Sequence, residues 1–200
     1  MRFLDRVLQN WRARMARPWI PGGARVLDIG CHQGEFLRSL GDAIGPSVGY
    51  DPLTTADDGP SYRLVPELFT IPAPFADESF DVVVMLATLE HIHDKDPIAE
   101  ECFRLLTPGG RLIVTVPAHA VDAIVHFMCK LRLADGMSLE EHHGYDPWTT
   151  PDVFGRHGFA LEKWRRFQLG LNHLFVLTKP VVALTPESAL PVFAGSAANV

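Results

Sequence analysis

The chain has 200 residues, 47% of them hydrophobic and 21% charged, with a formal charge of −6. That length suits one domain, and the apolar content is enough for a real core, which excludes wholesale disorder. The acidic balance argues against a general nucleic-acid binder built on a basic surface. Three dispersed cysteines (Cys31, Cys102, Cys129) form no CxxC pair and no disulfide framework, so a reducing, cytoplasmic setting is the expectation.

Met1 to Arg17 carries five arginines against one acid, Asp5, so these 17 residues hold +4 and the remainder −10. Phe3, Val7, Trp11 and Met15 recur every four residues, with Leu4 and Leu8 beside them, which predicts a helix packed through that stripe with its arginines in water. A basic amphipathic helix also suits a peripheral membrane or partner contact, or a lid over a ligand site. Residues 1–23 are therefore read as a leader, 24–179 as the domain, and 180–200, rich in Ala, Pro and Ser, as an extended or mobile tail. No apolar run approaches the length of a membrane span.

From residue 24 the chain alternates. Arg25–Ile29 predicts a strand, Glu35–Ala43 a helix, Ser47–Tyr50 a second strand and Tyr62–Val65 a weak third. Leu53–Pro60 is polar and turn-rich. Phe80–Leu86 and Arg111–Val116 are apolar and β-branched, as strands buried on both faces should be. Asp96–Leu106 predicts a helix stopped by Pro108-Gly109-Gly110, and Val121–Leu133 another. Thr149-Thr150-Pro151 reads as a helix start with a threonine cap. Phe159–Phe167 and His173–Thr178 can pair as a hairpin. Strands alternating with helices predict a mostly parallel sheet covered on both faces.

The run Val26-Leu27-Asp28-Ile29-Gly30-Cys31-His32-Gln33-Gly34-Glu35 is a strand, a glycine turn and a helix start. Gly30 and Gly34 leave flat backbone beside exposed N–H groups. Asp51 stands at the tip of the next strand, 23 residues after Asp28, where a carboxylate can accept two hydrogen bonds from a ribose diol. The spacing is GxxxG, which is neither the dinucleotide fingerprint nor a phosphate-cradling Walker loop. A nucleoside without a pyrophosphate fits best.

These residues resemble the first motif of the class I S-adenosylmethionine-dependent methyltransferases, with His32 where that pattern has its middle glycine. Asp51 in Gly49-Tyr50-Asp51-Pro52, the Pro74–Val83 entry to the family's fourth strand, Leu89-Glu90-His91-Ile92 after it, and Leu105–Leu112 before its fifth strand resemble later motifs in the right order, together covering about residues 24–117. The flavour is that of the ubiquinone/menaquinone-biosynthesis group. The resemblance implies an α/β, doubly wound, Rossmann-like seven-stranded mostly parallel sheet, with helices on both faces and a C-terminal antiparallel hairpin. It also implies S-adenosyl-L-methionine as cofactor. Asp28 would lie near the cofactor's amino-acid part, with Gly30, His32 and Gly34 as the floor. Asp51 would hold the ribose, Pro52 and Phe75 would serve the adenine, and Met85 and Leu86 would line the pocket.

The expected chemistry is in-line methyl transfer to an O, C or N atom of a small-molecule acceptor. The alternatives are an RNA or protein methyltransferase, or a non-catalytic partner subunit that keeps the fold. His91, after the fourth strand of the motif set, and His142 and His143 are the candidate general bases, since an imidazole titrates near neutral pH. Tyr145 and Trp148 are candidate acceptor walls. No metal is expected, because the histidine spacings do not place two ligands on one helical face.

Overall fold

The computed structural model describes residues 3–118 and 145–181. Eight strands form one sheet: β1 (Val26–Ile29), β2 (Ser47–Tyr50), β3 (Asp57–Asp58), β4 (Tyr62–Val65), β5 (Phe80–Leu86), β6 (Leu106–Pro117), β7 (Ala160–Phe167) and β8 (Asn172–Thr178). Their order is β3-β4-β2-β1-β5-β6-β8-β7. The five strands from β4 to β6 are parallel, while β8 runs antiparallel to β6 and β7 to β8. This is the doubly wound arrangement with the expected terminal hairpin. The strand beyond the seven expected is β3, a two-residue antiparallel partner of β4 in the stretch read as turns. It lacks any apolar signal; Arg63 bonds Asp58 at 3.1 Å, and Arg38 bonds Asp57 at 2.6 Å.

The central strands are apolar on both faces because both faces are covered. Leu27, Val83, Met85, Val114 and Phe175 face α3 (Lys95–Leu105) and α4 (Thr150–Gly155) with Phe154. Val26, Val84, Ile113, Leu174 and Val176 face α2 (Glu35–Leu40) with Leu37, and α1 (Phe3–Ala16) with Ala16. Adjacent residues alternate between the two clusters, the period-2 signature of a strand.

Helix ends follow side-chain chemistry. Asp94 caps α3 by accepting the Asp96 N–H. Ahead of α4, Asp146 accepts the Trp148 N–H, so the expected threonine cap is replaced by an aspartate three residues earlier. Helix α3 ends at Leu105 and β6 starts at once, so Pro108-Gly109-Gly110 forms the irregular first part of the strand rather than a turn before it. The helix expected at Val121–Leu133, with Cys129, lies outside the described residues, as does the tail beyond residue 181. Among the described residues no helix is long and apolar enough to cross a membrane.

Helix α1 forms as expected, with Leu8 and Met15 of its apolar stripe turned inward, but it is rotated enough to leave Val7 and Trp11 outside. Leu8, Gln9, Arg12, Ala13 and Met15 are half-buried and Ala16 is fully buried, whereas Val7 and Trp11 are 40% and 39% exposed. Two polar bonds select that rotation. Gln9 Nε2 donates to Glu35 Oε2 at 3.1 Å, and Gln168 Nε2 donates to the Leu8 carbonyl at 2.7 Å.

At the opposite end of β1 and β5, Asp81 accepts the Arg25 N–H at 2.9 Å and the Arg25 guanidinium at 2.8 and 3.1 Å. These bonds hold its carboxyl below the usual range, so their contribution is present at neutral pH and lost as the acid protonates. Both side chains are more than a third exposed, which limits the gain. Asp81→Ala is expected to lower unfolding stability by about 1–2 kcal/mol at pH 7, and by less at pH 3, in urea titrations.

Candidate active site

The strand order reverses between β1 and β5, and in open α/β sheets ligands bind at the carboxyl ends of the strands beside that switch. Both loops there are tightly drawn. Gly30 has φ +79°, and a Cβ on it would stand 2.3 Å from Thr88 Oγ1 in the loop after β5. Gly34 has φ +74°, and a Cβ there would meet Leu64 of β4 at 2.4 Å. Both glycines are thus required by backbone conformation and by close approach.

His32 occupies the place of the resembled middle glycine, and its φ of +51° shows that it keeps the left-handed conformation glycine would adopt. Its backbone N–H donates to Asp51 Oδ2 at 2.8 Å. Asp51 Oδ1 accepts the Leu53 N–H at 2.8 Å. Asp51 therefore orders both loops while each oxygen keeps a lone pair for a further donor. The His32 ring Nδ1 lies 3.1 Å from Glu35 Oε1, and Glu35 Oε2 accepts the Gln33 N–H. Pro52 is exposed beside this loop.

Asp28 is the unusual group. It is 1% exposed on the central strand, and neither carboxyl oxygen has a hydrogen-bond partner among the described residues. Burial, then the charges of Asp51 and Glu35, push its carboxyl up to about 8. The same burial and carboxylates push the Cys31 thiol above its usual value, which argues against a nucleophilic thiolate.

Of the two β5 residues expected to line the pocket, Leu86 is half-buried, but Met85 is fully enclosed in the core. Met85 is corrected to a core residue: strand alternation turns its side chain under the sheet, beside Val83. Phe75 is half-buried and packs edge-on to Tyr50 and Phe80, with ring centroids 6.3 and 5.0 Å away. Its loop is pinned by Arg104, which donates to the Phe75 carbonyl at 2.9 Å and to Glu101. Buried Glu101 also accepts the Ala73 N–H at 2.7 Å.

After β5, a single 3-10 turn (Leu89–His91) places Glu90 in the interior, 3% exposed, and leaves His91 half-buried. Glu90 acts electrostatically on Arg12 of α1, on Lys95 and on Tyr145. Lys95 Nζ sits 4.5 Å over the Tyr145 ring and donates to the Ile92 carbonyl at 2.6 Å. The Tyr145 hydroxyl is 2.8 Å from Thr150 Oγ1. Trp148 packs against Trp164 and His173 at 5.0 and 5.1 Å. His142 and His143 lie outside the described residues. Among the described residues no group of three or more His, Cys, Asp or Glu is placed to hold a metal ion.

The inward residues of α1 were not expected here. Gln9 reaches Glu35, and Arg12 enters the field of Glu90; burial pushes the Arg12 guanidinium below its ordinary value, and its Nε has no partner among the described residues. The available signal was the pair of polar residues, Gln9 and Arg12, sharing a helix face with Leu8 and Ala16.

Below pH 4 both folded and unfolded Asp28 hold a proton; between about 4 and 8 only the folded state does. Stability is therefore expected to fall as pH rises through that window. Asp28→Asn should flatten the slope and raise the urea midpoint at pH 8 above that of the parent; an unchanged slope would contradict the assignment.

Comparison with known proteins agrees with this geometry. The family model described as a methyltransferase domain matches residues 1–166. A ubiquinone biosynthesis O-methyltransferase of Psychrobacter cryohalolentis is 28% identical over 193 residues, covering 80% of this chain and 73% of the relative. An S-adenosylmethionine-dependent methyltransferase structure from Mesorhizobium loti superposes with a TM-score of 0.63 at 20% identity, covering 85% of this chain and 97% of that one. A second, from Methanosarcina mazei, gives 0.59 at 18% identity, covering 84% and 97%. The likeness to these two structures is one of fold.

Proposed function

Because this chain belongs to the methyltransferase-domain family and is an S-adenosylmethionine-dependent methyltransferase, we propose that it methylates an oxygen of a small-molecule acceptor held between the loop after β5 and Tyr145. The observation that carries this reading is the clustering of Glu90, Lys95 and Tyr145 beside the switch point, with Arg12 of α1 in the field of Glu90. The name of the Psychrobacter relative, an O-methyltransferase of ubiquinone biosynthesis, supports the same acceptor class.

The residues present fit the cofactor. Asp28 offers two buried oxygens, unpartnered among the described residues, to a cationic amino group, and Asp51 offers its remaining lone pairs to a ribose diol. Gly30, His32 and Gly34 form the floor, Pro52 and Phe75 flank the adenine, and Leu86 borders the pocket. Once bound, S-adenosylmethionine supplies an electrophilic methyl group on a sulfonium. The protein's tasks are then to align the acceptor oxygen and to take its proton. His91, half-buried at the end of the 3-10 turn, is the base we assign among the described residues. Tyr145 and Trp148 form aromatic walls against which a planar acceptor can lie.

Asp51→Ala is expected to weaken cofactor binding by about 10- to 100-fold in calorimetry, the cost of losing charge-assisted bonds to a diol. Undiminished binding would remove Asp51 from the site. Separately, an acceptor screen read out by release of the demethylated cofactor should identify a hydroxylated small molecule. With that acceptor, His91→Ala should lower kcat with cofactor affinity intact. Turnover with only an RNA or protein acceptor would overturn the small-molecule assignment.

A further inference from the structure

Helix α1 leaves Val7 and Trp11 of its apolar stripe on its outer face. Arg6, Val7, Asn10, Trp11 and Arg14 are all exposed, and Arg17 follows them. Beside α1 lies the β7–β8 hairpin. Lys163 and Arg165 of β7 stand opposite Val176 and Leu174, which belong to the cluster under α1, so both cations share the sheet face that α1 covers, and both are exposed. The only acid in the first 17 residues, Asp5, is half-buried and lies in the field of Arg12.

The hairpin tip supplies an apolar point. Gln168 and Leu169 both have left-handed backbones, with φ of +52° and +58°. Gln168 is 4% exposed; it donates to the Leu8 carbonyl and accepts from Asn172 Nδ2 at 3.1 Å. These bonds hold a conformation that L residues rarely adopt, and they leave Leu169 94% exposed. Residue Asn172 pairs with Pro117 at the end of β6, which puts this tip at the carboxyl end of the parallel strands, the end that carries the site.

We propose that the outer face of α1, the adjoining face of β7 and the Leu169 tip form a docking surface for an anionic lipid bilayer. Arg6, Arg14, Arg17, Lys163 and Arg165 face the headgroups, while Val7, Trp11 and Leu169 enter the boundary below them. Charge complementarity fixes the orientation: the chain beyond residue 17 carries −10, so an anionic surface repels most of the protein and attracts this face. A polynucleotide would use the cations and leave Leu169 and Val7 idle; a bilayer uses both sets. Docking this way turns the mouth of the site toward the membrane, and it does not depend on which acceptor is methylated.

Co-sedimentation of the full chain with phosphatidylcholine vesicles, with and without one-third phosphatidylglycerol, tests the assignment. Binding is expected only to the anionic vesicles and should weaken with salt. The double variant Arg14→Glu/Arg165→Glu should lower the partition constant by about tenfold or more. Leu169→Ser should lower it at unchanged charge, and both variants should keep the parent's melting temperature and cofactor affinity. Failure to bind anionic vesicles at low salt, or variants that partition like the parent, would overturn the proposal. So would tighter binding to single-stranded RNA that Leu169→Ser leaves unaltered.

Discussion

An aspartate at the centre of the sheet has no hydrogen-bond partner among the described residues. Asp28 sits on the strand from which the sheet winds both ways, buried between β2 and β5, with both oxygens unpartnered among the described residues. A buried carboxyl in that position costs folding free energy, and holding a proton lessens the cost. The surroundings do nothing to relieve it. Asp51 and Glu35 add negative charge, and the Arg25–Asp81 pair lies at the other end of β1 and β5. The fold thus spends stability on a group whose need is a cation, in the place where a sheet of this winding binds its ligand.

Much of the local architecture keeps that place open and rigid. Two glycines bring the β1 loop against Thr88 and Leu64, and Asp51 ties the same loop to the end of β2 through the His32 N–H. His32 shows that the middle position needs a left-handed backbone more than it needs glycine itself. On the other side of the switch, Arg104 and Glu101 fasten the Phe75 loop to α3. Over one face of the sheet, α1 is strapped to α2 by Gln9 and to the distant hairpin by Gln168, from residues 160 positions apart in sequence.

The parts legible from sequence are those whose cause is local. Acid, glycine and second acid fall within one strand-turn-helix-strand unit, so their spacing carries the nucleoside reading directly. The buried strands announce themselves as β-branched runs. What was not legible depends on distant partners. The apolar stripe of α1 placed Leu8 and Met15 on the inward side, but side-chain bonds from α2 and the hairpin bring Gln9 inward as well and leave Val7 and Trp11 outside. Strand β3 is made of two aspartates, and it pairs through backbone and arginine contacts that no hydropathy pattern reveals. Met85 and Leu86 are neighbours in sequence, yet alternation sends one into the core and leaves the other half-open. Glu90 belongs to the Leu89-Glu90-His91-Ile92 motif, but its burial and its reach to Arg12, Lys95 and Tyr145 follow from tertiary packing alone.

We propose that the Asp28 carboxyl, protonated in the free protein at neutral pH, becomes the carboxylate partner of the cofactor's ammonium group. Calorimetric titration with S-adenosylmethionine at pH 7, repeated in buffers of different ionisation enthalpy, measures this directly. The account predicts release of close to one proton on binding, roughly 0.9 for a group that titrates near 8, and none for Asp28→Asn. Binding that shows no buffer dependence, or the same proton release in Asp28→Asn, would contradict it.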